Sequence, residues 1–443
     1  MYWTLALLVE LLLVLQVVLA TIQFRSWQAP GAFFALLWTI FVAACLIVAP
    51  EYKIWPGVIW FFLMSCVVQL GATAGKACVG SSSARSRTRA LSVRALRWGV
   101  SICTVLGIIG VEILLRSVGR GFSTLISPTD LFVTGIVFSY ERYAVAGFRE
   151  PAGFVALLTF IYFGAYLSGA LFVVAERART RAATMLIAVP ALLVGLTLTT
   201  RGPLLVTAVN WAAAYLTISI WRGREKAFVL LDYRRSVAIG AAIVGLILVY
   251  VGLQSIRNGD VIREHAKRES QVEWGLANAK SAFVGSLPAF SHWFEDKWDV
   301  GTPQTWGAYA FATDLQWLGV PSENFSEVPV SPDLDAPPTN MFTIYRIFAQ
   351  DFGVPGSALF MLLFGILGGW AYESVKRGNL ASAPFLIVFY QISFISLTGF
   401  GLRGTTLQGA FLLLIIFMWW ASSRARNRAP STFRAASLAQ NRA

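Results

Sequence analysis

Seven arginines lie in polar stretches that flank long apolar runs, and their chemistry is suited to anions. They are Arg142, Arg149, Arg201, Arg257, Arg263, Arg346 and Arg403. A guanidinium forms bidentate hydrogen bonds to phosphate oxygens and stays charged in proteins. A group of them at the depth of lipid headgroups would suit a lipid-linked phosphate or pyrophosphate. The alternative is ordinary contact with the headgroups of surrounding lipids.

Two of these arginines, Arg201 and Arg403, lie in short turns between apolar runs. Arg201 is in LTLTTRGPLL and is followed by Gly202 and Pro203. A turn this short holds the charge close to the membrane, where ionisable residues are costly and usually functional. Arg403 is in LTGFGLRGTTLQG, whose glycines allow the backbone to pack closely against a partner or a ligand.

The longest polar segment, residues 256–338, interleaves aromatic and charged residues. It holds both histidines, His265 and His292, with five of the 16 tryptophans and twelve of the 23 acids. Tryptophan anchors proteins at membrane interfaces. Aromatic rings also stack on the C–H faces of sugars, while carboxylates bind sugar hydroxyls. Both interpretations stay open for any single tryptophan, and for the whole segment we expect some contact with sugar.

The elements that position these residues are apolar helices. The chain is 56% hydrophobic and 13% charged, and its mean hydropathy is +0.64. Many runs reach the roughly 20 apolar residues that cross about 30 Å of hydrocarbon. Backbone polar groups find no water in lipid, and runs without period-2 alternation exclude a barrel. We therefore expect an all-α polytopic membrane protein of about 11 transmembrane helices with a large, partly helical external loop.

The expected spans are 3–21, 31–49, 55–74, 98–115, 152–175, 183–199, 203–220, 236–255, 354–372, 380–398 and 404–421. They divide the chain into four regions. These are an N-terminal transmembrane bundle of about eight helices (1–255), an external loop with short interfacial helices (256–353), C-terminal transmembrane helices (354–421) and a basic cytoplasmic tail (422–443).

The distribution of charge orients the chain. With the C-terminal tail in the cytoplasm, the cytoplasmic segments carry 22 basic residues and four acids, against 14 and 17 on the other side. This is the bias that the positive-inside rule requires. It also explains the net charge of +13 without nucleic-acid binding. An odd number of spans then places the N-terminus outside.

The segment before the ninth expected span has a helical pattern of its own. In NMFTIYRIFAQDFG, Asn340 is the expected N-cap of a short helix. Thr343, Arg346 and Gln350 then share one face of that helix. The four cysteines, Cys45, Cys66, Cys78 and Cys103, lack the spacing of a metal site, and we expect no bound metal.

Three stretches carry a resemblance to a known family. NMFTIYRIFAQDFGVPGSALFMLLFGILGG resembles the Asn-x-x-Thr-x-Tyr…Asp-Phe-Gly-x-x-Gly segment of Wzy-type polymerases of oligosaccharide repeat units. LTLTTRGPLLVTAV resembles the Thr-x-Ser/Thr-Arg-Gly turn that these polymerases share with O-antigen ligases, with Thr200 where serine is common. SYERYAVAG is similar to their external Arg-Tyr element.

The resemblance implies a glycosyltransferase similar to the lipid-dependent GT-C type, in the inner membrane of a bacterium. It implies that donor and acceptor are glycans linked to undecaprenyl pyrophosphate, and that no metal, other cofactor or nucleotide sugar is needed. Membrane lipids, a chain-length regulator and a flippase are the partners that it implies, and nucleic acid is not among them.

On this hypothesis Arg201 and Arg346 bind the pyrophosphate, supported by Arg142 and Arg403. The catalytic base is Glu141, His292 or Asp351, and the sequence does not rank them. Asp351 and Asn340 are also expected to fix the short helix, and Tyr345 to position sugar or phosphate. The remaining residues expected to bind substrate are Tyr143, Arg257 and Arg263.

Two other functions remain open. An O-antigen ligase, which moves finished polymer to lipid A core or protein, shares the lipid donor, but neither His265 nor His292 matches a ligase-type histidine motif. A transporter or flippase usually carries repeats and charges near the bilayer midplane. Here only Glu10 and Glu112 fall within expected spans.

Overall fold

The secondary-structure elements of the described residues are helices, because a backbone in lipid has only its own groups as hydrogen-bond partners. The computed structural model describes residues 2–80, 91–144, 150–198, 202–225, 284–297, 304–320, 343–397 and 404–427, with the single residues 200, 280, 399 and 402. Its α-helices are α1 Tyr2–Phe24, α2 Pro30–Val48, α3 Gly57–Ala77, α4 Val93–Arg116, α5 Pro128–Ala144, α6 Ala152–Val174, α7 Ala178–Ala183, α8 Ala188–Thr197, α9 Gly202–Trp221, α10 Ser286–Lys297, α11 Ala312–Trp317, α12 Ile344–Lys376, α13 Ala383–Ile395 and α14 Thr405–Asn427. Short 3₁₀ turns lie at Phe122–Leu125, Thr184–Ile187 and Leu380–Ser382.

The fold class expected from the sequence is confirmed. Within the described ranges, nine helices are long and apolar enough to cross a membrane. They are α1, α2, α3, α4, α6, the continuous stretch Ala178–Thr197, α9, α12 and α14. Each overlaps one of the expected spans. The expected span 380–398 is a 3₁₀ turn followed by α13, which has only 13 residues, and the expected span 236–255 lies outside the described residues.

Among the described helices, α3 and α12 pack with their backbones in contact. A Cβ added at Gly75 would lie 2.0 Å from the carbonyl oxygen of Ile366, and one added at Gly369 would lie 2.1 Å from that of Ala72. Gly71 and Gly365 complete the pattern from both sides. Each helix therefore carries a small-x-x-x-small pair that faces the other, the arrangement that lets membrane helices approach most closely.

The helix α6 lies at the centre of the other half of the bundle. It packs against α4, α9 and α14, and 72% of its apolar window is buried inside the protein, against 28% for α1. Gly169 lets α6 approach the backbone of α9 at Trp211. The Tyr166 hydroxyl donates a hydrogen bond to Gln391 Oε1 of α13 at 2.6 Å, which ties α6 to α13 inside the membrane.

Five segments meet at one end of the bundle, which we call the loop end. They are residues 49–57, 284–297, 304–320, 343–353 and 396–397. Hydrogen bonds join them from Gly57 N to Ser291 Oγ (3.0 Å), from Ser286 Oγ to Leu397 O (2.7 Å) and from Ile344 N to Ser396 O (2.9 Å). Residues 50–54, 284–297, 304–320 and 343–353 were expected outside the cytoplasm, and residues 396–397 at the end of the expected span 380–398; these segments lie together.

The opposite end of the bundle, which we call the basic end, gathers residues 76–80, 221–225 and 373–380. Lys376 Nζ lies 2.6 Å from Glu225 Oε2, and an Arg377 nitrogen donates to the carbonyl oxygen of Gly80. These segments carry arginines and lysines that were expected in the cytoplasm. The charge pattern in the sequence therefore sorts the described segments onto two ends in the same way that the helix packing does.

Candidate functional site

The site is built on the first part of α12, which is bent. Gly353 has φ 65° and ψ −171°, and it divides α12 into residues 344–352 and a membrane-spanning part that begins with Pro355 in its first turn. Glycine adopts this backbone conformation without steric cost, and the missing N–H of Pro355 suits the start of the second part. We call residues 344–352 the entry segment. The break falls where the sequence had placed the boundary between a short helix and a span.

The entry segment begins one turn later than expected. Its N-cap is Thr343, in an extended conformation with φ −63° and ψ 156°, so the expectation that Asn340 caps this helix was wrong. Asn340 itself lies outside the described residues. The Thr343 side chain makes no capping hydrogen bond; instead the Ile344 N–H, one of the donors at the helix start, is bonded by the carbonyl oxygen of Ser396.

Arg346 is the buried charge of the site, with an exposed fraction of 2%. The centre of its guanidinium lies 5.4 Å from the centroid of the Trp293 ring on α10. It also interacts electrostatically with the Tyr309 hydroxyl. A buried charge is costly unless it meets compensating groups, and a guanidinium over an indole face is a favourable contact. Two aromatic residues of the long loop thus surround the arginine of the entry segment.

Asp351 connects the entry segment to residues 304–311, which we call the cover segment. One carboxylate oxygen accepts from the Thr305 hydroxyl and from Tyr309 N at 3.1 Å, and the other accepts from Ala310 N at 2.7 Å. The backbone carbonyl of Asp351 accepts from Trp306 N at 3.0 Å. Both carboxylate oxygens are therefore occupied, and the residue is fully buried. This geometry favours a positioning role for Asp351 over that of a base.

A further hydrogen bond places the cover segment over Arg346. Gln350 Nε2 donates to the Tyr309 hydroxyl oxygen at 3.2 Å. Gln350 follows Arg346 by four residues, so the two share a helix face, and Tyr309 reaches both of them. Arg346 and Gln350 of the predicted face thus meet the cover segment, whereas Thr343 precedes the helix as its N-cap.

Tyr345 points away from this cluster into an aromatic core. Its ring lies 4.8 Å from that of Trp38, 5.4 Å from that of Phe61 and 6.3 Å from that of Phe290. Tyr345 is fully buried, and within the described part of the chain its hydroxyl oxygen has no hydrogen-bond partner. The rings bring α2, α3, α10 and α12 together directly behind Arg346.

The other expected site residues fall into two groups. His292 is half-buried on α10, next to Trp293, and so belongs to the same end of the bundle as Arg346. Glu141, Arg142 and Tyr143 lie on the last turn of α5, and their side chains are outside the description. The residues that lie wholly outside the described ranges are Arg201, Arg257, Arg263, Asn340 and Arg403.

The chain on either side of Arg201 and Arg403 is described. The helix α8 ends at Thr197 and α9 begins at Gly202, so the turn that carries Arg201 is as short as expected. Next to Arg403, the Leu402 carbonyl oxygen accepts from Gln408 Nε2 at 3.0 Å, and the same amide donates to Asp314 Oδ2 at 3.0 Å. The Gln408 amide near the start of α14 therefore links Leu402 to α11 at the loop end.

Trp293, Thr305 and Tyr309 are the members of the site that sequence reasoning did not single out. The two aromatics were among the eleven of the long loop, and no spacing rule separates them from the rest. Thr305 and Tyr309 lie 42 and more residues before Asp351 in the chain. Within the described ranges, no cluster of three or more metal-ligating side chains is present.

Comparison with models of known protein families, with curated proteins and with solved structures gives no match to this chain. The fold and the geometry of the site therefore carry the functional argument alone.

Proposed function

We propose that this chain polymerises oligosaccharide repeat units linked to undecaprenyl pyrophosphate, at the outer face of a bacterial inner membrane. The observation that supports it is Arg346, a guanidinium buried at the loop end of the bundle, on a helix that continues directly into a membrane span. A polyprenyl pyrophosphate has its diphosphate at the membrane surface and its chain in the hydrocarbon. On this proposal, Arg346 lies at that boundary.

The reaction transfers a glycan from one lipid to another. An acceptor sugar hydroxyl attacks the anomeric carbon of the donor, the bond from that carbon to the phosphate oxygen breaks, and lipid pyrophosphate leaves. Negative charge grows on the leaving phosphate as the bond breaks. A guanidinium in a site with little water stabilises this charge more strongly in the transition state than in the ground state.

The acceptor hydroxyl loses its proton to a base. Because the carboxylate of Asp351 is occupied by three hydrogen bonds, we assign the base to His292 or Glu141 and give Asp351 the task of holding the cover segment. Arg201 is proposed to share the pyrophosphate with Arg346. Around them, the supporting contacts to substrate are assigned to Arg142, Tyr143, Arg257, Arg263, Asn340 and Arg403.

Trp293 has a specific place in this proposal. Its ring lies 5.4 Å from the Arg346 guanidinium. A cation over an aromatic face is a favourable contact, so Trp293 offsets part of the cost of burying this charge and helps to hold the guanidinium at the loop end.

The test uses the purified protein in nanodiscs with lipid-linked repeat units and follows glycan length on gels. Arg346→Ala should lower the rate of elongation by about 10²–10³, the usual loss when one donor to a developing anion is removed. Arg346→Lys should recover only part of the rate, because it keeps the charge and loses the bidentate fork. Arg116→Ala is the matched control, since Arg116 is exposed and pairs with Glu112 on its own helix.

Deletion of the gene separates the proposed function from its neighbours. Loss of a polymerase leaves single repeat units on the lipid core, whereas loss of a ligase leaves no attached glycan. A flippase moves the lipid-linked units without lengthening them in the nanodisc assay. Unchanged elongation by Arg346→Ala, or absence of elongation by the wild-type protein, would overturn the proposal.

A further inference from the structure

A groove of about 190 Å³ opens at the loop end, away from Arg346. It lies between the first turns of α1 and the segment that joins α2 to α3. Four of its nine lining residues are aromatic and three are aliphatic. The lining residues that the argument uses are Tyr2, Trp3, Glu51, Tyr52, Lys53 and Trp55. The volume equals about six waters at ~30 Å³ each, which is the scale of one sugar ring.

Charged side chains are fixed at the rim of the groove. Lys53 Nζ lies 4.9 Å from the centre of the Tyr2 ring and 2.7 Å from Glu295 Oε2 on α10. Lys280 donates a hydrogen bond to Glu51 and lies 5.4 Å from the centre of the Tyr52 ring. These contacts give the groove apolar walls and a rim of paired charges.

The Glu51 carboxylate is ionised at neutral pH. Burial is the largest single influence and raises the pKa of this carboxyl, but the hydrogen bond from Lys280, a backbone hydrogen bond of Glu51 and the charge of Lys280 together outweigh it and hold the pKa below its ordinary value of 4.5. Glu51 is exposed, so its remaining lone pairs can accept hydrogen bonds from a ligand.

Three kinds of ligand can be compared with this lining. An acyl chain would gain nothing from the two ion pairs, and a phosphate would find both lysines already neutralised by carboxylates. A sugar ring has apolar C–H faces that stack on aromatic walls, and hydroxyls that bind carboxylate oxygens and ammonium hydrogens. The combination of rings and paired charges therefore matches a saccharide best.

We propose that this groove is a saccharide-binding subsite that holds part of the glycan at a distance from the pyrophosphate. This role rests on the proposed function, because the glycan would be the one that the chain extends. The helix α10 separates the groove from the site of Arg346: Glu295 bonds to the rim, and Trp293, two residues earlier, contacts Arg346. Residues two apart on a helix face different sides, so α10 presents one side chain to each site.

The experiment measures binding without turnover. The probe is a set of oligosaccharides released by mild acid from the surface polysaccharide of the host, titrated into wild-type protein and variants in nanodiscs. Trp3→Ala should weaken binding roughly tenfold, the factor expected for the loss of one aromatic stacking contact. Glu51→Gln should weaken it less, roughly threefold, because a neutral amide accepts weaker hydrogen bonds than a carboxylate.

The matched control is Trp98→Ala, because Trp98 is an exposed tryptophan on α4 outside the groove, and its binding should equal that of the wild type. Equal affinity of Trp3→Ala and the wild type would overturn the proposal. A lipid occupant is tested with brominated acyl chains, which quench the fluorescence of a tryptophan that they contact. If they quench the fluorescence of Trp3 and saturating oligosaccharide does not reduce this quenching, a lipid occupies the groove and the proposal is overturned.

The length of the polysaccharide product distinguishes failure of the groove proposal from failure of the polymerase proposal. If the chain is a polymerase and the groove holds its glycan, Trp3→Ala should shift the distribution of polymer lengths while single transfers still occur. If Arg346→Ala abolishes elongation and Trp3→Ala alters neither binding nor length, the groove proposal fails and the polymerase proposal stands. If no polymer depends on the gene, the binding measurement still decides the groove.

Discussion

At the scale of single residues, removal of the Tyr345 hydroxyl tests its effect on stability and its effect on activity separately. A buried hydroxyl without a partner costs about 1–3 kcal/mol, and within the described ranges this one has none. Tyr345→Phe should therefore leave thermal stability equal or raise it. If the hydroxyl positions substrate, the same variant should lose elongation activity. Lower stability of Tyr345→Phe would contradict the structure, and full activity would remove Tyr345 from the site.

Asp351 offers a second test at this scale, which reports on the cover segment. Asp351→Asn replaces an acceptor-only group by an amide that cannot accept from both Thr305 and Ala310 in the present geometry. The backbone amides of residues 304–311 should then exchange hydrogen faster by roughly tenfold or more, as expected for the loss of about 1–3 kcal/mol.

Asp130→Asn serves as the control for this exchange measurement, because Asp130 is exposed on the first turn of α5. It should leave exchange in the cover segment unchanged. Equal exchange in Asp351→Asn and the wild type would show that the carboxylate does not hold the segment.

At the scale of helices, the contact between α3 and α12 predicts a steep response to small substitutions. Gly369→Ala places a methyl group 2.1 Å from a carbonyl oxygen of α3, so the backbones must separate. Overpacking of this kind costs typically about 1–3 kcal/mol, and the melting temperature in detergent should fall. Gly153→Ala on α6 is the control, because its Cβ meets the nearest atoms at an ordinary 3.7 Å. Equal melting of both variants would contradict this packing.

Helix positions followed from the sequence more readily than their contacts. Apolar runs identify spans because crossing lipid demands length, and so the runs at 31–49 and 203–220 match α2 and α9. The start of α12 was misplaced because Asn340 has high capping propensity, whereas the observed start is set by a tertiary hydrogen bond to Ser396. Propensity cannot foresee a partner that lies more than fifty residues away.

The site could be predicted only where local sequence patterns indicated it, and not where it depends on contacts between distant segments. Arg346 could be placed on one helix face with Gln350 from their local spacing, and Asp351 was chosen because its segment resembles the Asp-Phe-Gly element of the Wzy-type polymerases. Trp293 and Tyr309 could not be ranked above the other aromatics of the long loop, because their contacts with the entry segment depend on how α10 and the cover segment fold back. The groove at Trp3 and Glu51 could not be predicted either, because its walls come from two separate segments, the start of α1 and the connection between α2 and α3. No local sequence pattern indicates that they meet.

At the scale of the whole molecule, the two ends of the bundle predict opposite accessibility. If the basic end faces the cytoplasm, as the positive-inside rule requires, a membrane-impermeant maleimide should label a cysteine at the loop end in intact spheroplasts. Leu318→Cys, introduced after replacement of Cys45, Cys66, Cys78 and Cys103, meets this need, because Leu318 is 78% exposed.

The native Cys78 provides the reciprocal measurement. It is exposed next to the basic end, and in a protein that retains it as the single cysteine it should react only after the membrane is permeabilised. Labelling of Cys78 from outside, together with protection of Leu318→Cys, would reverse the orientation and place Arg346 on the cytoplasmic side, away from an exported substrate.

The break at Gly353 has a mechanical consequence. The membrane-spanning part of α12 packs with its backbone against that of α3, and we expect this contact to resist sliding of the helix. We therefore expect movement of the Arg346 guanidinium during turnover to occur by rotation of residues 344–352 about Gly353. The membrane-spanning part of the helix would stay in place. A substitution that restricts rotation at Gly353 would then hold residues 344–352 in one orientation and leave the membrane-spanning part of α12 unchanged.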